Sequence, residues 1–393
     1  MTSRSSLHPF WVIAGVLLVA GTLRGTFTGA GPLLGDIGQA FGLGASQAGF
    51  LITLPLLAFF VVSPFAARLA RAVGLERAIF LALAAMIAGV AIRSAGPLWT
   101  LYLGSFVLGA GIAIGNTLLP SLLKRDFPDQ ITKLTTLYAI TMGVASAGAS
   151  AVMTPLAQAF DWRLALAALV VLPTAAALVW IPQLRRRSAP GAAPGAEAAA
   201  GVSGVSVWRS GLAWQVTLFF GVNSFVYYAV AAWLPSILTS AGASAEAAGG
   251  LHGVMQLGTA APGLVLVPLV RRLKDQRALA AGFSLLGLVS LTGLYVAPGL
   301  AMIWVALFGF AIGGAFILAL AFIGLRSRSA EQTAQLSGMT QSVGYLMSAC
   351  APVSIGALHD AVGAWAPVLA VCGALCILMV ALGLGAGRDR QLA

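Results

Sequence analysis

The sequence predicts an all-α polytopic membrane protein, with twelve transmembrane helices arranged as two pseudo-symmetric six-helix bundles. Three observations carry this reading. Hydrophobic residues make up 59% of the chain and charged residues only 8%, against roughly 25% charged in a soluble domain; the chain has too little polar surface to face water. Apolar runs of about 20 residues or more recur from end to end, the length a helix needs to cross a hydrocarbon core about 30 Å thick. The runs are rich in Ala, Leu and Gly and lack the period-two alternation of outer-membrane strands. A β-barrel is not expected.

The first six spans are expected near 10–31, 46–66, 76–95, 98–122, 132–159 and 162–181, and the second six near 212–239, 246–270, 278–296, 300–324, 333–358 and 363–386. With this layout, nineteen of the 22 Lys and Arg fall on the side that holds the N-terminus. Only Arg93 and Arg163 fall on the other side, and Arg24 lies inside a span. Lys and Arg accumulate in cytoplasmic loops, so both termini are expected in the cytoplasm, with the chain in a bacterial inner membrane. The formal net charge of +11 is then a topology signal and implies no nucleic-acid partner. Cys350, Cys372 and Cys376 all fall within spans and form no CxxC pair. They read as small apolar residues, with no disulfide, metal site or cofactor expected.

One segment breaks the apolar pattern. Residues 183–210, QLRRRSAPGAAPGAEAAAGVSGVSVWRS, read as a cytoplasmic linker held at the membrane surface by Arg185, Arg186 and Arg187. It divides the chain into an N-terminal bundle, 1–182, and a C-terminal bundle, 211–393. The halves repeat each other: GASQAGFL (44–51) opens the second span as GASAEAAGGL (242–251) opens the eighth, and GIAIG (111–115) in span four answers GFAIGG (309–314) in span ten. Two similar six-helix halves joined by a cytoplasmic loop are the pattern of a parallel-repeat transporter with its substrate site at the midplane. Gly21, Gly25 and Gly29 in span one, and Gly111 and Gly115 in span four, place small residues at the four-residue spacing that lets membrane helices pack closely.

The loop between spans two and three, SPFAARLARAVGLERAI, resembles the signature of the major facilitator superfamily. Arg68, Arg71, Gly74 and Arg77 keep its basic spacing, with Ala67 where an acidic residue is usual. A narrower resemblance lies in GNTLLPSLLKRDFPDQITKLTTLYAITMGVASAGASAVMTPLA (115–157), WLPSIL (233–238) and LSGMTQSVGYLMSACAPVSIGALHD (336–360). These are similar to the cyanate and nitroimidazole porter family within that superfamily. The resemblance implies the major facilitator fold and transport of a small, compact solute, cyanate in one branch and nitroimidazole-type compounds in another.

Arg24 is the one ionisable residue between Phe10 and Asp36. At about 1.5 Å per helical residue it lies roughly 20 Å from the first and 18 Å from the second, near the bilayer centre. A charge there costs at least about 2.5–3.5 kcal/mol on insertion scales. The acidic residues all fall in loops or at span ends, so none is expected at Arg24's depth. A planar, permanently charged donor suits an anion or an acceptor-rich group such as a nitro.

Helical spacing puts Gly21, Arg24, Phe27, Thr28 and Gly31 on one face. Other mid-span polar side chains are expected to turn toward the same cavity, because hydrocarbon leaves their hydrogen bonds unmade. They are Asn116, Tyr138, Asn223, Tyr227, Gln256, Gln341 and Tyr345, with Met142 and Phe316 as apolar wall. His252 and His359 are expected near the outer ends of their spans, so a buried titratable relay is not anticipated.

The functional expectation is a secondary or facilitated transporter for a small anionic or acceptor-rich solute, working by alternating access around Arg24 as a monomer in contact with lipid. The alternative is a multidrug-type efflux transporter for small neutral organic compounds. An enzyme is not expected, since no paired carboxylates, His–Asp cluster or ligand set lies at depth. The chain carries no GxxxxGK[ST] phosphate loop, so it is not itself an ATP-driven pump.

Overall fold

The computed structural model describes residues 9–185, 207–263, 275–328 and 330–392, with Leu266 and Leu273 between them. Among these residues the chain is all-helical: α1 (Pro9–Thr28), α2 (Leu34–Phe41), α3 (Ala45–Val73), α4 (Leu75–Arg93), α5 (Leu98–Asp126), α6 (Ile131–Ala159), α7 (Trp162–Ala168), α8 (Val171–Trp180), α9 (Gly211–Ser240), α10 (Ala245–Ala260), α11 (Arg277–Val296), α12 (Ala301–Leu325), α13 (Ala330–Val362) and α14 (Ala366–Ala386). Ten helical stretches among them are long and apolar enough to cross a membrane. The other two of the twelve expected spans correspond to α10, 16 residues long, the rest of whose expected span lies largely outside the described residues, and to α13, a 33-residue helix diluted by Gln, Ser and Thr. Most of the linker expected over 183–210, with Arg186 and Arg187, lies outside the described residues, as do Arg4, His8 and much of the far end of span eight.

Hydrocarbon offers the backbone no partner, which is why the spans are helical throughout the described residues. Large apolar side chains such as Phe60, Phe65, Val171, Leu178, Met302 and Ile377 point outward, as lipid contact requires. Interior hydroxyls are satisfied one turn back along their own helix: Thr22 donates to the Leu18 carbonyl at 2.9 Å, Thr26 to Thr22 at 2.8 Å and Ser284 to Ala280 at 2.8 Å.

Two expected spans are interrupted, each beside a proline. Span one was expected to reach residue 31, but α1 stops at Thr28 and a 3-10 turn over Gly31–Leu33 follows. Pro32 disfavours the helical conformation of the residue before it. Span six was expected as one helix over 162–181 and is two, α7 and α8. Pro173 supplies no backbone N–H to the turn where they meet, and the chain there makes the tighter bonds Leu169 N–H to Leu166 O and Val170 N–H to Ala167 O.

The chain forms two compact units. The first comprises Met1–Leu33 and Leu54–Glu197, the second Leu34–Thr53 and Ala198–Ala393. In the first, α1 lies against α6 and α8, and α4 packs along α5. The α4–α5 crossing is at backbone distance: a Cβ on Gly104 would overlap the Arg93 backbone, and one on Gly89 would overlap that of Leu108. Arg93, placed by sequence on the outer side, is only 3% exposed at the end of α4, and its Nη2 donates to the Thr26 carbonyl of α1 at 3.3 Å. At the opposite end of α4, Glu76 is 3% exposed and accepts from Arg125 at 2.8 Å, while Arg125 also bonds Asp126 at 2.7 Å. The acidic partner in this region is thus Glu76, nine residues after Ala67.

In the second unit, α9 packs on α13 and α14, α11 on α14 and α12, and α10 on α12 and α9. The start of α3 belongs here. Asp360 of α13 accepts from the backbone N–H groups of Ala45 and Ser46, each at 2.9 Å, a charged cap on the positive end of α3. Pro352 gives α13 no backbone donor at its position; nearby, Thr53 donates to the Ala349 carbonyl at 2.7 Å and Trp233 to that of Pro352 at 2.9 Å.

The α10–α12 contact is again glycine against carbonyl. A Cβ on Gly309 would overlap the Met255 carbonyl, and one on Gly313 that of Thr259. Gly313→Ala is therefore expected to cost about 1–3 kcal/mol through overpacking, read as a lower unfolding temperature in detergent. An unchanged transition would contradict this close approach.

Candidate functional site

The first unit holds five of the expected site residues in a half-buried setting: Arg24 and Phe27 on α1, Asn116 on α5, and Tyr138 and Met142 on α6. Two contacts fix the level of the three helices. A Cβ on Gly115 would lie 2.5 Å from Leu23 Cδ2, and one on Gly21 would lie 3.2 Å from the Ala145 Cβ. The turns carrying Arg24, Asn116 and Met142 are therefore at one depth on neighbouring helices. Ile13, Leu17, Arg24 and Phe27 follow one another at helical spacing, and all are half-buried. Tyr138 donates its hydroxyl to Asn116 Oδ1 at 3.2 Å, which ties α6 to α5 and leaves the Asn116 amide N–H₂ as a donor.

Thr28 is different. It is buried, donates to the Arg24 carbonyl at 2.9 Å, and shares a 2.8 Å hydrogen bond with Ser146 of α6. Its hydroxyl is committed to the α1–α6 contact, because Gly21 and Gly25 bring that face of α1 against α6.

The second unit contributes a chain of three polar side chains. Tyr227 of α9 donates to Gln256 Oε1 at 2.8 Å, and Gln256 Nε2 lies 3.2 Å from His252 Nε2 on α10. Gln256 and His252 are 0% and 1% exposed, and Tyr227 is half-buried. Phe316 and Tyr345 both meet the ring of Phe220, at centroid distances of 5.4 and 6.3 Å. Asn223, one turn before Tyr227, is buried, with an Oδ1 that has no hydrogen-bond partner among the described residues. Gln341 is exposed and donates to Ser337 Oγ at 2.8 Å.

A half-buried arginine level with an amide on a neighbouring helix, itself bonded to a phenol, with no cluster of metal-ligating residues among those described, can hold a solute. The sequence profile of the Major Facilitator Superfamily matches residues 13–352. The chain belongs to this superfamily. It is 49% identical over 392 residues to the 2-nitroimidazole transporter of Escherichia coli strain K12, covering all of this chain and 99% of that one. It is 28% identical over 352 residues to the cyanate transport protein CynX of the same organism, covering 88% and 90% of the two. Its fold matches the crystal structure of a D-xylose–proton symporter with a TM-score of 0.79 at 14% identity, over 98% of this chain and all of that one. The protein is a polytopic membrane transporter of the major facilitator type and not an enzyme, similar to the 2-nitroimidazole transporter along its full length and to the cyanate transport protein over 88% of it.

Three features of this transporter escaped the sequence reading. His252 was expected at the edge of its span; α10 begins at Ala245, which puts His252 two turns inside the helix and, at four residues from Gln256, on the same inward face. That i, i+4 spacing was the available signal. The burial of Arg93 and the Glu76–Arg125 pair carried no such signal, because both depend on contacts between separate helices.

Proposed function

We propose that this protein is a secondary transporter that moves a small anionic or acceptor-rich solute, a cyanate-like anion or a nitroimidazole-type compound, across a bacterial inner membrane by alternating access, with Arg24 as the anchor for the solute's negative or acceptor group. The observation that carries the reading is the half-buried mid-span guanidinium of Arg24 at one depth with Asn116 and Met142 on adjacent helices. A guanidinium in hydrocarbon is costly and is kept for function, and its planar fork matches the paired oxygens of a nitro group or carboxylate. Asn116 offers a second donor, and Phe27 and Met142 a flat apolar wall. The names of the two relatives, one a 2-nitroimidazole transporter and one a cyanate transport protein, fall in the solute class this chemistry selects. The nineteen basic residues on one side support cytoplasmic termini.

The test is thermal unfolding of the purified protein with a panel of small solutes. Cyanate, 2-nitroimidazole and related nitroaromatics are expected to raise the unfolding temperature, by the equivalent of about 2.7 kcal/mol at a hundredfold excess over Kd. Quaternary ammonium ions and neutral aliphatic solutes of similar size are expected to do nothing. Stabilisation by the cations and none by the anions or nitro compounds would overturn the proposal.

A further inference from the structure

We infer that the first unit holds a small monovalent anion, of the size of chloride, on Arg93 and Ser94 at the end of α4 remote from Glu76. This site is separate from Arg24 and would stand even if Arg24 took no solute.

Arg93 is 3% exposed, in the last turn of α4, and among the described residues no carboxylate pairs with it. Its Nη2 donates to the Thr26 carbonyl at 3.3 Å. That carbonyl is open because the Ala30 N–H, which would have continued α1, bonds Phe27 instead. The Nε–H of Arg93 is buried with no hydrogen-bond partner among the described residues, and so is the Oγ of the next residue, Ser94. Two successive side chains thus offer donors that no described residue answers, and buried donors are costly to leave unmade. A water would satisfy those hydrogen bonds but not the charge, and a buried charge calls for a counter-charge. The negative ends of α1 and α4 favour the guanidinium, yet they supply no acceptor to its Nε–H. An anion answers both needs. One guanidinium edge and one hydroxyl balance a single negative charge, which sets the class of ligand.

The surroundings fix the site and set it apart. A Cβ on Gly104 of α5 would overlap the Arg93 backbone, so the end of α4 is held at main-chain contact and Arg93 starts from a rigid base. Thr26 follows Arg24 by two residues, about 200° around the helix. It is 0% exposed where Arg24 is half-buried, so Arg93 meets α1 on another side from the Arg24 side chain. A second cation stands at the approach: a Cβ on Gly96, three residues after Arg93, would lie 3.8 Å from Arg163 Nε. Arg163 rests over the ring of Trp162, at 4.7 Å from its centroid, and its pair with Asp161 is 3.4 Å long and open to water. Such an exposed pair holds little, and the added positive field favours arrival of an anion.

The experiment follows the NMR line width of chloride over the purified full-length protein, with gluconate replacing chloride at constant ionic strength. Chloride exchanging with a protein site broadens, and the excess width is titrated to give an affinity. To keep Arg24 out of the measurement, all variants are made on an Arg24→Gln background. That background is expected to retain a saturable excess width. Adding Arg93→Gln is expected to abolish it. Adding Ser94→Ala, which keeps the guanidinium and serves should the Arg93 variant fail to fold, is expected to weaken chloride about tenfold, the loss of one hydrogen bond to a charged ligand. No saturable width on the Arg24→Gln background would overturn the site. So would an affinity unchanged by Ser94→Ala, or a width undiminished by Arg93→Gln. None of these outcomes touches the solute reading, which is decided by cyanate and nitroaromatic binding to the protein with Arg24 intact.

Discussion

Arg24→Gln is expected to weaken solute binding by at least about a hundredfold without destabilising the fold. Hydrogen bonds to a charged group are each worth about 1.5–3 kcal/mol, and a fork that makes two of them supplies about 3 kcal/mol or more; each 1.4 kcal/mol is tenfold in Kd. Glutamine keeps one donor and much of the length but loses the charge. Arg24→Lys keeps the charge and loses the planar pair, so its defect is expected to be intermediate, about tenfold, because the two cations are not interchangeable at a bidentate site. Stability separates this role from a structural one. If Arg24 served only to hold α1 against its neighbours, Arg24→Gln would lower the unfolding temperature. Removing a charge from mid-span lifts an insertion cost of at least about 2.5–3.5 kcal/mol, so the binding role predicts a transition that stays where it is or rises. Titration of cyanate and 2-nitroimidazole against the three proteins, alongside their unfolding curves, decides the matter; an unchanged Kd in Arg24→Gln would remove Arg24 from the site.

The largest effect on stability is expected where the start of α4 meets the end of α5. Glu76 has a side chain 4% exposed and is paired with Arg125 at 2.8 Å. Taking one partner from a buried pair leaves the other charge uncompensated, a loss of about 3–5 kcal/mol. Arg125 is itself 25% exposed, so water reaches part of the vacated space and Arg125→Ala is placed at the lower end, about 3 kcal/mol. The guanidinium is well suited to its place: burial alone lowers its pKa, but the hydrogen bonds to Asp126 and Glu76 more than offset this and raise it. The double variant Glu76→Gln, Arg125→Ala is expected to recover most of the loss, because a neutral amide carries no charge to compensate. Unfolding of the two variants in detergent tests this; a double variant as unstable as Arg125→Ala would show that packing of the arginine stem, and not the stranded carboxylate, sets the cost.

The spans and the mid-span place of Arg24 were legible in the sequence for one physical reason: the membrane imposes length, hydropathy and charge asymmetry on every segment separately. What the sequence left closed are facts of pairing. Thr28 shares a face with Arg24 by helical spacing, yet glycines at 21 and 25 draw that edge of α1 onto α6 and commit the hydroxyl to Ser146. His252 looked peripheral because depth was counted from the ends of a span, whereas its burial follows from which side of α10 meets α9 and α12. Glu76 reads as a residue at the end of a span until α5 brings Arg125, 49 positions later, within 2.8 Å. Pro173 was visible, but whether a proline bends a span or divides it depends on the bonds the neighbouring turn can substitute.

The glycine joint between α10 and α12 has a bearing on engineering. Where Gly309 and Gly313 touch the Met255 and Thr259 carbonyls, the two helices meet as bare main chain, with no rotamers in between to absorb a shift. Sidestepping of α10 along α12 is thus blocked in the way a dowel blocks a sliding board, and the histidine two turns from its start inherits that fixity. Mutagenesis aimed at new cargo is better directed at the half-buried Phe27 and Met142 than at positions 309 and 313, where any side chain would meet a carbonyl.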